Sequence, residues 1–539
     1  MNAARVSRRA LGTEVPGLLP PELAGLLAAA AYPHPADPIS LLETPISWVL
    51  LAGDFAYKIK RPVRYPFVDQ RGAVRRQRLC EDELRLNQRF APQLYLEVCP
   101  IVADHGRVRV CLGSPGKDKV VEYAVRMRRF DSNDELDRQL ALGRIGVEAL
   151  EAFGRALADM HATLPTVSAD SSYGQPESVR ELLVANLAEC AAAAQLFNSR
   201  SAVEALRAPL EQQLDQAGPW MASRRASGRV RECHGDLHSR NIVVQAGRLV
   251  PFDCLEYEPA FRWIDVADEI AFLSSDLTAH GYPAHAHAFL AGYLERSGDY
   301  HACRLIRLYE AHRALVRAKV AALSAAQHSA DLERAALRAE HERLVAHAAA
   351  ALGEHQPRLV VMNGLSGAGK TWLARQLARA LGAVHLRSDI ERKRRAGLTD
   401  FEHSGSGLAA GLYAADISER VYDDLAREAY DALVGGYTVI VDATLLRRED
   451  RRRFAELGAR VKAPTYLVTC VAPVSVLRER LRARAAAAQD PSEADESVLD
   501  WQRQRLEPVA AGESFTSLTA ESTDPQALQT VLASLNAPT

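Results

Sequence analysis

The stretch Cys233-His234-Gly235-Asp236-Leu237-His238-Ser239-Arg240-Asn241, followed by Pro251-Phe252-Asp253, sets two carboxylates and a carboxamide at short separations. Transfer of a phosphoryl group is largely a matter of placing charge around a phosphate. It needs a carboxylate to orient the attacking hydroxyl or accept its proton, and oxygen ligands that hold magnesium against the nucleotide. Asp236 suits the first task, and Asn241 with Asp253 suits the second. The apolar runs Asn241 to Val244 and Arg248 to Phe252, turned at Ala246-Gly247, predict a hairpin joining these groups. A lone H-G-D triplet also arises by chance in capped turns. Asn241 and Asp253 together are what point to phosphoryl chemistry.

A second phosphate site follows farther along. Arg358 to Asn363 reads as a buried strand, then comes Gly364-Leu365-Ser366-Gly367-Ala368-Gly369-Lys370-Thr371, then a helix to Leu381. This is G-x-x-x-x-G-K-T in the strand–loop–helix context that the motif requires. The glycines let backbone N–H groups, those of Ser366 and Ala368 among them, wrap phosphate oxygens. Lys370 adds positive charge near the β and γ phosphates, Thr371 offers its hydroxyl to magnesium, and the helix N-terminus adds favourable partial charge. Thr438 to Val441 predicts a buried strand ending at Asp442, a carboxylate placed to order magnesium or its waters. Arg480 and Arg484 stand at i and i+4 on a helix predicted over Val474 to Ala488, which suits a lid closing on phosphates, although a charged surface helix has the same pattern. Arg478 and Arg482 fall on the other side and are expected in solvent. The basic run Arg447 to Arg453 is expected on the exposed face of a helix, with approach to an anionic acceptor as the alternative.

His234 to Asn241 with Phe252-Asp253 resemble the aminoglycoside phosphotransferase family, the small-molecule branch of the kinase-like fold. The spacing matches the protein-kinase loop H-R-D-x-x-x-x-N, with Gly235 in place of the Arg. The resemblance spans roughly the first two-thirds of the chain. It implies an ATP-binding lysine on the third strand. Lys58 is the candidate, and Lys60, on the same face by the period of two, is the fallback; an exposed edge-strand lysine is the ordinary alternative. It further implies an acidic partner on the next helix, Glu83 or, second, Glu81. Met127 to Phe130 would border the adenine, and Asp265 would brace the catalytic loop. One departure is that only Gly53, and no G-x-G-x-x-G loop, precedes the lysine, so a shorter hairpin would cover the phosphates. The later half, from Arg358 to about the end, resembles small P-loop kinases of free hydroxyls, a group including gluconate kinase, polynucleotide 5′-kinases and zeta-type toxins. That resemblance gives Asp389, after His385 to Ser388, contact with the acceptor hydroxyl as its base; capping a helix is the other role for an Asp there. The two halves in this order resemble bacterial proteins known as bifunctional aminoglycoside phosphotransferase/ATP-binding proteins, AAA-type in their second half, a name that specifies no substrate.

The elements that must position these groups follow from periodicity. At 539 residues two or three domains are expected. Residues 1–130 are read as an N-terminal region and kinase-like N-lobe, 131–355 as a helical C-lobe, and 356–539 as a P-loop kinase domain: an α+β kinase-like fold, then an α/β P-loop fold. A short helix is predicted over Pro20 to Ala31. Strands are predicted at Ile46–Leu51, Phe55–Lys60, Tyr95–Ile101, Val108–Leu112 and Val120–Met127, with turns at His105-Gly106 and Ser114-Pro115-Gly116. Arg71 to Phe90 is read as a helix, with Glu83, Leu86 and Phe90 on one face. Further helices are expected at Val147–Leu164, where His161 is a packed residue, and at Ser178–Phe197, Ala202–Ala217, Ala284–Arg296, Cys303–Ala326 and Ala330–Leu352. Gly353 to Pro357 forms the junction.

Composition narrows the function. A formal net charge of −2 makes no electrostatic case for a nucleic-acid or membrane partner. None of the eight cysteines forms a C-x-x-C pair, as expected of reduced thiols in a cytoplasmic protein. Met1 to Pro16 lacks the apolar core of a signal peptide, and no run of about 18 apolar residues suggests a membrane span. The expectation is an ATP- and magnesium-dependent phosphotransferase acting on the hydroxyl of a small molecule, with two phosphate sites. The alternatives are one catalytic half beside a nucleotide-sensing or regulatory half, and a protein or nucleic-acid end kinase.

Overall fold

The computed structural model describes residues 19–65, 68–104, 107–327, 330–399, 402, 414–487, 492–510 and 512–536. The expectations for Met1 to Pro16, for the His105-Gly106 turn and for Ala488 lie outside the described residues. The chain forms two units, Met1–Phe153 with Asp159–Ala286 and Leu308–Leu352, and Gly154–Ala158 with His287–Arg307 and Gly353–Thr539.

The first unit opens on two 3-10 stretches, Pro21–Leu27 and Ala29–Ala31, where one short helix was expected. The extended backbone of Ala28 separates them. An antiparallel sheet follows, built from β1 (Ile39–Glu43), β2 (Ser47–Ala52), β3 (Phe55–Lys60), β6 (Tyr95–Asp104), β7 (Arg107–Val110) and β8 (Lys119–Arg128), in the order β1-β2-β3-β8-β6-β7. A two-stranded hairpin, β4 (Arg64–Tyr65) and β5 (Val68–Asp69), stands outside it. β1 has no counterpart among the expected strands, because its half-buried ISLLE sequence neither alternates nor ends in a hairpin turn signal. Alternation along β3 divides its side chains. Tyr57 and Ile59 join Trp48, Leu50, Cys99 and Ile101 in a core covered by Leu23 and Leu26. Lys58 and Lys60 therefore point to the other face, toward helix Ala73–Gln88, which buries Leu79, Cys80, Glu83 and Leu86.

The rest of this unit is largely helical. β9 (Val230–Glu232) pairs with β12 (Trp263–Asp265), and β10 (Ile242–Gln245) with β11 (Arg248–Pro251), the expected hairpin. The expected helices are present with shifted ends. Pro176–Ala193 passes into a 3-10 turn, and the Ala202–Ala217 segment is instead Arg200–Glu204 and Arg207–Ala226. Helix Val266–Ala279 is buried from Val266 to Leu277. Asp265 caps it by accepting the Ala267 N–H at 2.8 Å, and the buried Arg224 guanidinium donates to both Asp265 oxygens at 2.8 Å.

The second unit carries a five-stranded parallel sheet of β13 (Leu359–Asn363), β14 (Val384–Arg387), β15 (Val439–Asp442), β16 (Thr465–Val471) and β17 (Thr516–Glu521), in the order β14-β15-β13-β16-β17. β13 is central: the chain leaves it toward β14 on one side and later crosses from β15 to β16 on the other. Its carboxyl end is therefore a switch point, where open α/β sheets bind ligands. Val360, Met362, Ile440 and Val468 pack with Leu373, Ala374 and Leu377 of helix Lys370–Leu381. All eight cysteines are free and buried, and no helix of the described residues is long and apolar enough to cross a membrane.

Arg224 is wholly buried and holds both oxygens of Asp265. Arg224→Met should take that guanidinium from the buried Asp265 carboxylate at a cost of about 3–5 kcal/mol, read as a lowered urea midpoint with unchanged slope.

Candidate active site

In the first unit, β3 and helix Ala73–Gln88 bring two lysines to one carboxylate. Lys58 Nζ donates to Glu83 Oε1 at 2.6 Å, and Lys60 Nζ donates to Glu83 Oε2 at 2.5 Å. Lys58 reaches on to Asp253 Oδ1 at 2.5 Å, whereas Lys60 reaches Glu256. Both lysines thus pair with Glu83, and Lys58 alone of the two meets Asp253. Glu81 accepts from Gln77 on the exposed face. The exposed edge-strand lysine does not describe this buried network. Burial opposes the Lys60 charge, but Glu256 and Glu83 outweigh it and hold its pKa above the ordinary lysine value. Burial likewise opposes the charge of Glu83, and the two lysines prevail and lower its pKa. Asp253 adopts a left-handed backbone, φ 68°, and its N–H donates to the buried Tyr95 hydroxyl at 3.0 Å.

The catalytic-loop sequence is stitched to the hairpin beside it. The Phe252 N–H donates to the Asn241 carbonyl at 2.9 Å, and the Leu255 N–H to the His234 carbonyl at 3.0 Å. Burial drives the His234 pKa down to about 4, so its ring is neutral. Nε2–H donates to the Phe252 carbonyl at 2.9 Å, and Nδ1 accepts the Asp236 N–H at 3.3 Å. Asn241 Nδ2 donates to Asp236 Oδ2 at 3.0 Å and to its carbonyl at 2.9 Å. The Asn241 side-chain oxygen accepts no hydrogen bond among the described residues. Asp236, Asn241 and Asp253 are all buried.

The braces of this loop come from helix Val266–Ala279. Glu269 accepts the N–H groups of His234 at 2.7 Å and Gly235 at 3.0 Å, one on each oxygen. Arg313 donates to both Asp268 oxygens, at 2.6 and 2.8 Å, and to the Gly235 carbonyl at 3.3 Å. Asp265, expected as the brace, makes no hydrogen bond to the loop among the described residues and is engaged by Arg224 and its own helix. Gly235, φ 84°, lies so close to Phe261 that a Cβ would stand 2.6 Å from its carbonyl oxygen. His161 is buried with Cys233 and Glu269, their ligand-type atoms within 4.8 Å of one another. Two N–H groups already take Glu269, and burial holds the Cys233 thiol well above its usual pKa. Phe130, expected near the adenine, packs edge-on against Phe252.

In the second unit, the Gly364-to-Thr371 loop follows β13 and enters helix Lys370–Leu381, as expected. A Cβ on Gly364 would stand 2.4 Å from the Cys470 carbonyl oxygen, so the loop can run against β16 only with glycine there. Lys370 is buried. Burial lowers its pKa despite the nearby Asp442, and Nζ donates to the Leu365 carbonyl at 3.0 Å. The Ser366 N–H donates to Gln502 Oε1 at 2.8 Å, a partner from helix Glu496–Arg505 that the motif does not announce. Asp442 ends β15 with its Oδ2 3.5 Å from His385 Nε2. Burial raises the Asp442 pKa, but His385 and the nearby cations overcome this and hold it at about 2. Asp389 lies in the first turn of helix Ser388–Arg395, whose N-cap is Arg387. Thr371 is in the first turn of the loop's helix.

The arginine helix divides differently from expectation. Arg480 donates to the Gly367 carbonyl at 3.2 Å and Ser522 Oγ at 2.7 Å, touching the loop itself, whereas Arg484 donates to the Ala494 carbonyl at 2.6 Å. Arg482 is exposed as expected, whereas Arg478 is partly covered; both pair with Glu496 of helix Glu496–Arg505. Arg451, in the run expected to be exposed, is wholly buried. It donates to both oxygens of Glu513 at 2.7 Å and to the Leu445 and Leu446 carbonyls.

A kinase-like α+β fold with a buried lysine–carboxylate pair and an Asp–Asn loop, followed by a P-loop fold, defines an ATP-dependent phosphotransferase. Residues 69–306 match the phosphotransferase enzyme family, and residues 359–509 match the AAA domain family. Uncharacterized proteins of Mycobacterium tuberculosis and Mycobacterium bovis are 31% identical over 461 residues, covering 85% of this chain and 89% of theirs. The chain belongs to the family of these mycobacterial proteins. Among solved structures, a sugar kinase from Janibacter sp. is similar at 20% identity and TM-score 0.27, covering 33% of this chain and 95% of that one. A gluconokinase from Sinorhizobium meliloti is similar at 20% identity and TM-score 0.25, covering 34% and 95%.

Burial raises the pKa of Glu269 to about 7. As a carboxyl with a folded-state pKa above its unfolded value, it should cost no stability below about pH 4.5. The cost should grow as the unfolded state ionises between about pH 4.5 and 7, and stay level above that. At about 1.4 kcal/mol per pH unit, the wild type should lose roughly 3 kcal/mol more than Glu269→Gln across that window. Denaturant titrations at stepped pH check this, and parallel curves for the two proteins would refute it.

Proposed function

We propose that this protein transfers phosphoryl groups from ATP to hydroxyls of small molecules at two independent sites. In the first, Asp236 orients the acceptor hydroxyl and takes its proton. Asn241 and Asp253 would hold magnesium, and Lys58, fixed by Glu83, holds the nucleotide phosphates. The observation that carries this reading is the bond from Asn241 Nδ2 to Asp236 Oδ2 beside a lysine shared by Glu83 and Asp253. The amide nitrogen of Asn241 is spent on Asp236, which leaves its oxygen for a cation, and an all-oxygen set of carboxylate and carboxamide suits magnesium. Bound there, the ion would neutralise phosphate charge as it develops.

In the second site, Gly364, Ser366, Gly367, Ala368 and Gly369 cradle the phosphates and Lys370 neutralises them. Thr371 and Asp442 would hold magnesium directly or through water, and Asp389 activates the acceptor. Arg480, already on the loop, and Arg484, on the next turn of its helix, close on the phosphates. The near-neutral net charge of −2 favours a small acceptor over nucleic acid.

One observation favours a second reading, in which the P-loop unit senses nucleotide and does not transfer. Its loop is held by its own side chains, with Gln502 on the Ser366 N–H and Lys370 on the Leu365 carbonyl. Single-site variants separate the two readings. With γ-labelled ATP and a metabolite pool, Asp236→Asn should lower transfer to one set of products by about 10²–10⁴-fold and leave a second set intact. Lys370→Ala should do the reverse. Loss of all products in the first variant alone would make the P-loop a sensor, and full transfer in both would refute the two-site reading.

A further inference from the structure

Helix Cys303–Ala325 presents two arginines one turn apart, and they are treated differently. Arg313 is fully engaged, bidentate to Asp268 and bonded to the Gly235 carbonyl. Arg317 is only 13% exposed, yet its guanidinium makes no hydrogen bond among the described residues. Its nearest carboxylate oxygen there is Asp276 Oδ1, 3.9 Å from Nη2, beyond hydrogen-bond reach. Asp276 does not close the gap, because its other oxygen is held by the Ser239 N–H at 2.9 Å and the Ser239 hydroxyl at 2.5 Å. Asp276 thereby ties Arg317 to Ser239, three residues beyond Asp236, and the charge of Arg317 is felt by Asp236, His238, Asp276 and Glu340. His238, buried, directs Nε2 at Asp236 Oδ2 from 3.6 Å, and its Nδ1 has no hydrogen-bond partner among the described residues.

A mostly buried guanidinium has five N–H donors, and leaving them unpaired costs free energy that a ligand can recover. The surrounding carboxylates keep the charge in place but do not supply the bonds. A planar fork of N–H groups matches the oxygens of a phosphoryl or carboxylate group.

We propose that Arg317 is a binding residue of the kinase-like site that takes an anionic oxygen group brought by a ligand beside Asp236. This rests on the reading of Asp236 given above. The group has two possible sources, the γ-phosphoryl of the nucleotide or an anionic substituent on the acceptor.

The test uses the full chain carrying Lys370→Ala, so that the first site alone reports. Affinities for MgATP, MgADP and, with MgADP present, inorganic phosphate are measured by calorimetry for Arg317→Met and Arg317→Lys. If the γ-phosphoryl is the source, Arg317→Met weakens MgATP at least tenfold and leaves MgADP unchanged, with Arg317→Lys in between. If the acceptor is the source, both nucleotides bind as before and inorganic phosphate binding falls at least tenfold. Equal weakening of MgATP and MgADP, or no change with any probe, overturns the proposal and leaves Arg317 as a structural neighbour of Asp276. Should Arg317→Met fail to fold, Arg317→Lys, which keeps the charge and loses the fork, decides by the same readings. Lys58→Met in the same background should weaken both nucleotides. If it weakens neither, the reading of the site itself fails, whatever Arg317 does.

Discussion

Each oxygen of Glu83 meets a different lysine, and no part of its side chain reaches solvent. A carboxylate in that position survives only if the positive charge around it is fixed, and a buried lysine only if the carboxylate is. Lys58 and Lys60 supply the first condition, and Asp253 and Glu256 extend the arrangement on their side. Three carboxylates and two ammonium groups therefore hold together β3, helix Ala73–Gln88 and the loop after β11. Removing one member would leave a charge buried without its partner, at a cost of about 3–5 kcal/mol. The sheet is thereby locked to the loop that carries Asp253.

The backbone holds the other half of this site. The His234 and Gly235 N–H groups would be unpaired beneath the hairpins without Glu269, and their burial leaves water no route to them. Glu269 stands one turn beyond Asp265 on the same helical face, and this is where the sequence misdirected. A carboxylate at a helix start is read as a brace or a cap, and Asp265 is the cap. The loop lies over the following turn, and only packing decides which of two acidic residues at i and i+4 it meets.

What was legible follows from range. Asp236 and Asn241, and the whole Gly364-to-Thr371 loop, lie within a few residues of one another, so spacing alone brought them together. The alternation of β3 placed both lysines on one face, and a helical period placed Glu83 toward them. Glu256, Glu269, Arg313 and Gln502 reach their partners across long stretches of chain, and no local pattern announces which charged residue is buried. Arg451 illustrates the limit. It sits in a run of arginines with nothing local to mark it, and yet it is wholly buried because Glu513 and the Leu445 and Leu446 carbonyls surround it. β1 was illegible for a different reason, being half-buried throughout and so without a period.

The two lysines proposed to meet phosphate, Lys58 and Lys370, are buried on different terms. Lys58 meets two carboxylates, so its charge is matched before any ligand arrives. Lys370 donates to a neutral carbonyl, and burial lowers its pKa although Asp442 is near. An anionic phosphate brought to Lys58 must compete with Glu83 and Asp253, and gains mainly geometry. The same phosphate brought to Lys370 supplies a counter-charge that the protein withholds, and so recovers part of the desolvation cost already incurred in burying the lysine. The first site is thus organised in advance by internal ion pairs. The second keeps its glycine loop in shape with Gln502 and Arg480 and leaves its lysine to be neutralised by what binds.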